Sequence, residues 1–89
     1  MKYQYHVTIS EVSPEKEGGG NVEFDFPSHD NLLEIIEKMN KKNFFSEDEV
    51  RAFCVGLKLF SGVMLAHRDH PLFADFSQSF GLFMKKLKS

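Results

Sequence analysis

Residues 47–67 constrain the fold of this chain more than any other stretch, because they are apolar on nearly every side of a 3.6-residue helical period. Val50, Phe53, Leu57, Phe60 and Met64 make one face. Ala52, Leu59, Val63 and Ala66 make another, with Gly56 beside them. Only a narrow strip with Arg51, Lys58 and Gly62 is polar along its length. A helix apolar on most sides must be surrounded, so this segment is expected to be central and largely buried. Ser46-Glu47-Asp48-Glu49 marks its start as a capping box, in which a hydroxyl and a carboxylate each take up the other residue's backbone N–H. Gly56, four residues after Ala52, costs about 1 kcal/mol relative to alanine inside a helix. Close approach of a neighbouring helix is the expected compensation, ahead of a ligand crossing that surface.

The rest of the chain supplies the wrapping. From Tyr3 the pattern alternates, with Tyr3, Tyr5, Val7 and Ile9 on one side and Gln4, His6, Thr8 and Ser10 on the other. Period two with β-branched and aromatic residues predicts a strand over 3–12. Ser13-Pro14 through Gly18-Gly19-Gly20 reads as a turn or mobile loop. Alternation resumes with Val22, Phe24 and Phe26 and predicts a second strand over 21–27, ending at Pro27. The two make an antiparallel hairpin with one apolar face. Leu32, Ile35, Ile36 and Met39 then fall on one stripe and predict a helix over 30–42, with Asp30 or Ser28 as its N-cap. Pro71 suits the first position of a third helix over 71–87. On it Leu72, Phe73, Phe76, Phe80, Phe83, Met84 and Leu87 share one sector of about 120° on the 3.6-residue period, while Leu82 alone points to the polar side. The order ββααα is that of an α+β domain with helices on one sheet face.

With 89 residues there is room for one domain, 1–89, and one core. Area scaling predicts that such a chain buries roughly 64% of the surface its unfolded form exposes, which leaves little margin. Ten Phe and no Trp are the apparent means of filling that core. Hydrophobic residues at 42% and charged ones at 27% place the chain among globular sequences and not disordered ones. The lone Cys54 rules out an internal disulfide and gives no support to a secreted scaffold. Residues 1–20 have no basic start followed by an apolar run, and no stretch approaches the ~20 apolar residues of a membrane span. A cytoplasmic location and no membrane association are the expectation.

Charge is unevenly spread. Residues 1–37 hold two Lys against eight acids, and residues 38–89 hold nine Lys or Arg against five. The cations cluster at helix ends: Lys38, Lys41 and Lys42; His67 and Arg68; Lys85, Lys86 and Lys88. Acids stand at the opposite poles, as Asp30, as Glu47-Asp48-Glu49 and as Asp75. Matching each helix dipole accounts for this pattern at ~0.3–1 kcal/mol per charge. A phosphate-binding patch is the weaker reading of the same lysines.

The remaining motifs carry little chemistry. His67-x-x-His70 offers two metal ligands where zinc wants three or four, and Pro71 ends helical geometry beside them. His29-Asp30 has the composition of an acid–base pair but reads more simply as helix capping, and no nucleophile stands in a recognisable setting. Cys54, within an apolar helix, reads as an inert core residue. Gly18-Gly19-Gly20 joins strand to strand, with no Lys-Ser/Thr after it, so it is no phosphate cradle.

Four segments are familiar together: His29-Asp30-Asn31-Leu32, Gly56-Leu57-Lys58-Leu59-Phe60, Pro71-Leu72-Phe73, and Phe83-Met84-Lys85-Lys86-Leu87-Lys88. They resemble a family of short bacterial proteins classed as a domain of unknown function. The resemblance spans nearly the whole chain and implies a bacterial source and a shared ββααα fold. It carries no catalytic residue to any position here.

The functional expectation is therefore a small, uncharacterised, non-enzymatic protein-interaction or regulatory module without a cofactor. A homodimer is expected, with an unidentified protein partner as the further option, because a two-stranded sheet has two open edges and residues 47–67 have more apolar circumference than one hairpin and two helices hide. Gly56, Lys58, Leu82, Lys85 and Lys86 are the candidate interaction surface. The alternatives are nucleic-acid binding through the lysines at helix C-termini, and a small-ligand domain with an aromatic pocket beside Gly56.

Overall fold

The computed structural model describes residues 2–12 and 20–88. Its elements are β1 (Tyr3–Ser10), β2 (Asn21–Ser28), α1 (Leu32–Asn40), α2 (Glu47–Ala66), α3 (Pro71–Ala74) and α4 (Phe76–Lys88). An N-terminal antiparallel hairpin followed by helices is the α+β arrangement that the periodicities predict. The loop expected from Ser13 onward lies, apart from Gly20, outside the described residues.

Register explains the hairpin. Tyr3 lies opposite Ser28, Tyr5 opposite Phe26, Val7 opposite Phe24 and Ile9 opposite Val22. Directly paired residues share a face, so the two apolar rows coincide on one side and Gln4, His6, Glu23 and Asp25 take the other. The first strand ends at Ser10 and not at residue 12, because pairing stops at Ser10 opposite Asn21. Beyond it the Glu11 N–H donates to the Gly20 carbonyl at 3.3 Å. The second strand continues through Pro27 to Ser28. Both strands of a two-stranded sheet have an open edge, where a missing N–H breaks no ladder bond.

The helix boundaries shift for local reasons. α1 begins at Leu32 and not at residue 30, and its N-cap is Asn31, not Asp30 or Ser28. The Asn31 Oδ1 accepts from the Glu34 N–H at 3.2 Å. Ser28 instead forms its own turn, with its Oγ accepting from Asp30 N–H and donating to the Asp30 carbonyl. The Tyr5 hydroxyl, from across the hairpin, accepts from Leu32 N–H at 2.8 Å and donates to the Asp30 carbonyl at 3.4 Å. This satisfies one of the orphan N–H groups of the first helical turn. α1 stops at Asn40, not at residue 42, ahead of Asn43, whose φ of 58° is the left-handed conformation that Asn tolerates better than most side chains. The capping box before α2 forms as expected: Ser46 N–H donates to Glu49 Oε1 at 3.1 Å, and Glu49 N–H to Ser46 Oγ at 3.3 Å. The expected helix over 71–87 is divided at Asp75 into α3 and α4, though Asp75 keeps helical dihedrals of −78° and −29°. Pro71 opens α3, and His70 is the N-cap, its Nδ1 accepting from Leu72 N–H at 3.0 Å.

The chain divides into two compact units, Met1–Val55 and Gly56–Ser89. In the first, Leu32, Met39, Val50 and Cys54 are buried. Tyr5 packs against Phe26 and stacks on Tyr3, with ring centroids 5.5 and 6.3 Å away. Phe45 reaches Phe53 at 5.5 Å. In the second unit Met64 is the buried hydrophobic residue among those described. Around it runs a set of phenylalanine contacts: Phe60 meets Phe73, Phe76 and Phe80 edge-on at 5.7–6.3 Å, and Phe80 continues to Phe83.

The expectation that the second helix is largely buried needs correction. Of its residues only Val50, Cys54 and Met64 are buried, whereas Phe60, Val63 and Leu65 are exposed. The physical reason is supply: one hairpin and short helices do not offer enough apolar surface to cover a helix that is greasy on most sides.

Candidate functional site

Among the described residues, an open groove on the second unit and one end of the hairpin on the first combine apolar character with exposure. On the second unit, the end of α2, the turn after it, α3 and α4 enclose an open groove of about 540 Å³. Met64, Phe73, Phe80 and Met84 form its apolar lining, and Gly81 lines it too, with open space where a Cβ would stand. Leu65, Arg68, Asp69 and Ser77 complete its lining. Helical spacing creates it: Ser77, Gly81, Met84 and Lys88 recur at intervals of four, three and four along one side of α4. Lys85, four residues after Gly81, borders the same side.

On the first unit, the apolar face of the hairpin is half-buried near its root, at Tyr3, Tyr5 and Phe26. Toward the turn it is open, with Ile9 57% and Val22 55% exposed and Phe24 also exposed. The reverse face carries a polar cluster. His6 Nδ1 lies 2.6 Å from Asp25 Oδ1, and its Nε2 lies 3.5 Å from Glu23 Oε1. The hydrogen bond to Asp25, then that to Glu23, raises the His6 pKa above its ordinary value of 6.5 by favouring the charged ring.

The residues singled out from sequence do not form one surface. Gly56 and Lys58 are two apart on α2, and residues at that spacing point to different sides of a helix. Leu82, Lys85 and Lys86 do share a side of α4, and all three are exposed. Lys58 is half-buried, its carbonyl accepting from Ser61 Oγ. Gly56 is exposed, and a Cβ built on it meets nothing within 4 Å. The close helix approach expected there is absent among the described residues.

The remaining candidates have structural settings. His29 is exposed beside the Ser28 turn, and the cap it was expected to share falls to Asn31. The His70 Nδ1 is occupied by its capping bond to Leu72, and His67 lies one residue past α2. Among the described residues no group of three or more His, Cys, Asp or Glu side chains is placed to hold a metal. Cys54 is buried, and that burial pushes its thiol pKa up, away from a reactive thiolate. The open end of the hairpin and the groove were missed by sequence reasoning, which assigned Ile9, Val22, Phe73 and Phe80 to the core. Period alone gives the side on which a residue lies, not whether anything covers that side.

The comparisons with known proteins place the chain. A family described as a domain of unknown function with a solved structure, DUF3861, matches residues 3–89. The chain belongs to the DUF3861 family. A crystal structure from this comparison, a protein of unknown function from Pectobacterium atrosepticum, is 40% identical, covering 99% of this chain and 98% of its own, with a TM-score of 0.90. That neighbour is bacterial, in keeping with the bacterial family that the four sequence segments resemble. No curated protein matches the chain. DUF3861 thus supplies fold and kinship, and neither it nor the neighbour states an activity.

Proposed function

We propose that this chain, residues 1–89 acting as one domain, is a non-enzymatic protein-interaction or regulatory module of the cytoplasm that works as a homodimer. One observation carries the reading: large apolar side chains stand exposed on β1, β2, α2 and α4, among them Ile9, Val22, Phe60, Val63, Leu65 and Leu82. In water such side chains favour association. No helix among the described residues is long and apolar enough to cross a membrane. Sedimentation velocity at micromolar concentration should give twice the 10.3 kDa chain mass. A monomer under those conditions defeats the proposal.

A further inference from the structure

Charge divides along the same line as the two compact units. Residues 1–55 hold six basic against eleven acidic side chains, a balance of −5. Residues 56–89 hold five basic against two acidic, a balance of +3. A second copy placed unit against like unit would bring together charges of one sign at short range, a repulsive arrangement. Placed unit against opposite unit, it would bring complementary fields together.

The apolar surfaces follow the same division. The open end of the hairpin presents Ile9, Val22 and Phe24, with Glu11 on the side of Ile9 by period two and Glu23 and Asp25 on the reverse face. The thickness of one sheet is comparable with the screening length of ~8–10 Å, so acids on the reverse still contribute to the local field. The groove presents Met64, Phe73, Phe80 and Met84, with Arg68 and Asp69 also in its lining and Lys85, Lys86 and Lys88 in the last turn of α4 beyond it. Methionine and phenylalanine make an adaptable lining for branched aliphatic and aromatic side chains.

Resting on the homodimer reading above, we infer that the open apolar end of the β1–β2 hairpin of one copy docks into the groove between α2 and α4 of a second copy, acidic unit against basic unit. Two-fold symmetry makes the contact twice, since where residue i meets j, j also meets i. Each copy then covers its hairpin end and its groove, and no free hairpin or groove remains to propagate a chain of copies. The occupant is a second copy, because the charge complement is carried by the chain itself.

The test uses the full chain with Cys54→Ser as background. Val22→Cys in one preparation is mixed with Ser77→Cys in another and oxidised gently. The expected result is an intermolecular disulfide between the two, absent when Leu33→Cys replaces Ser77→Cys. Ile9→Lys, on a residue exposed in the protomer, should weaken the dimer at least tenfold by sedimentation equilibrium. Should Ile9→Lys fail to fold, the cross-link decides. A dimer that forms no Val22–Ser77 cross-link overturns the docking and leaves the homodimer standing. A monomeric wild-type chain overturns both.

Discussion

The stretch from Lys2 to Val55 and the stretch from Gly56 to Lys88 hold themselves together by different means. The first has a backbone ladder, the buried residues Leu32, Met39, Val50 and Cys54, and a tyrosine hydroxyl that ties the hairpin to the start of α1. The second has no sheet. It relies on Met64 and on edge-to-face phenylalanine contacts, and it leaves Phe76 and Phe83 exposed. The difference teaches that hydrogen-bonded closure and apolar closure are separate conditions. A ladder satisfies polar backbone groups whatever lies over its face, whereas an aromatic stripe gains its full stabilisation only when covered.

The sharpest way to break this comparison is a matched pair of truncations, read by urea denaturation at one protein concentration, because association shifts apparent stability. Leu32→Ala, at a buried position of the first unit, should lose about 2–5 kcal/mol. Leu82→Ala, at a position 59% exposed in the second, should stay within about 0.5 kcal/mol. If Leu82→Ala proves as costly as Leu32→Ala, the second unit is covered in solution by something beyond the protomer.

Tyr5→Phe isolates the hydroxyl that only the first unit has. It strands the partly buried Leu32 N–H, and a loss of about 1–3 kcal/mol is expected in the same assay. A loss below about 0.5 kcal/mol would mean that solvent replaces the hydroxyl there.

Gly56→Ala sits at the junction of the two units. With open space around its Cβ, alanine should stabilise the helix by about 1 kcal/mol. Destabilisation instead would place a partner's backbone against that side of α2.

The smallest expected effect concerns His6. Its pKa is raised in the folded chain, so its contribution is fully present below about pH 6.5 and is lost as pH rises through the raised value. Stability measured across that window should fall more steeply for the wild type than for His6→Gln. Equal slopes would show that the ring's bonds to Asp25 and Glu23 do not persist in solution.

Much of the fold was legible in the residues. The alternation of Tyr3 to Ile9 and of Val22 to Phe26 determined both strands and their common apolar side, because side chains on a strand repeat every two residues. Ser46 and Glu49 determined the start of α2, and Pro71 that of α3, because these signals act within one helical turn. Asn31 was as visible as Asp30, and local chemistry could not choose between adjacent capping residues. What chose was Tyr5, 27 residues away from Leu32, whose hydroxyl reaches the first N–H of α1. The groove and the open hairpin end were likewise decided by tertiary structure alone. Sequence period determines which residues share a side, since that is local geometry. Whether the side is covered depends on the area that distant segments bring to it, and here that supply falls short on both units.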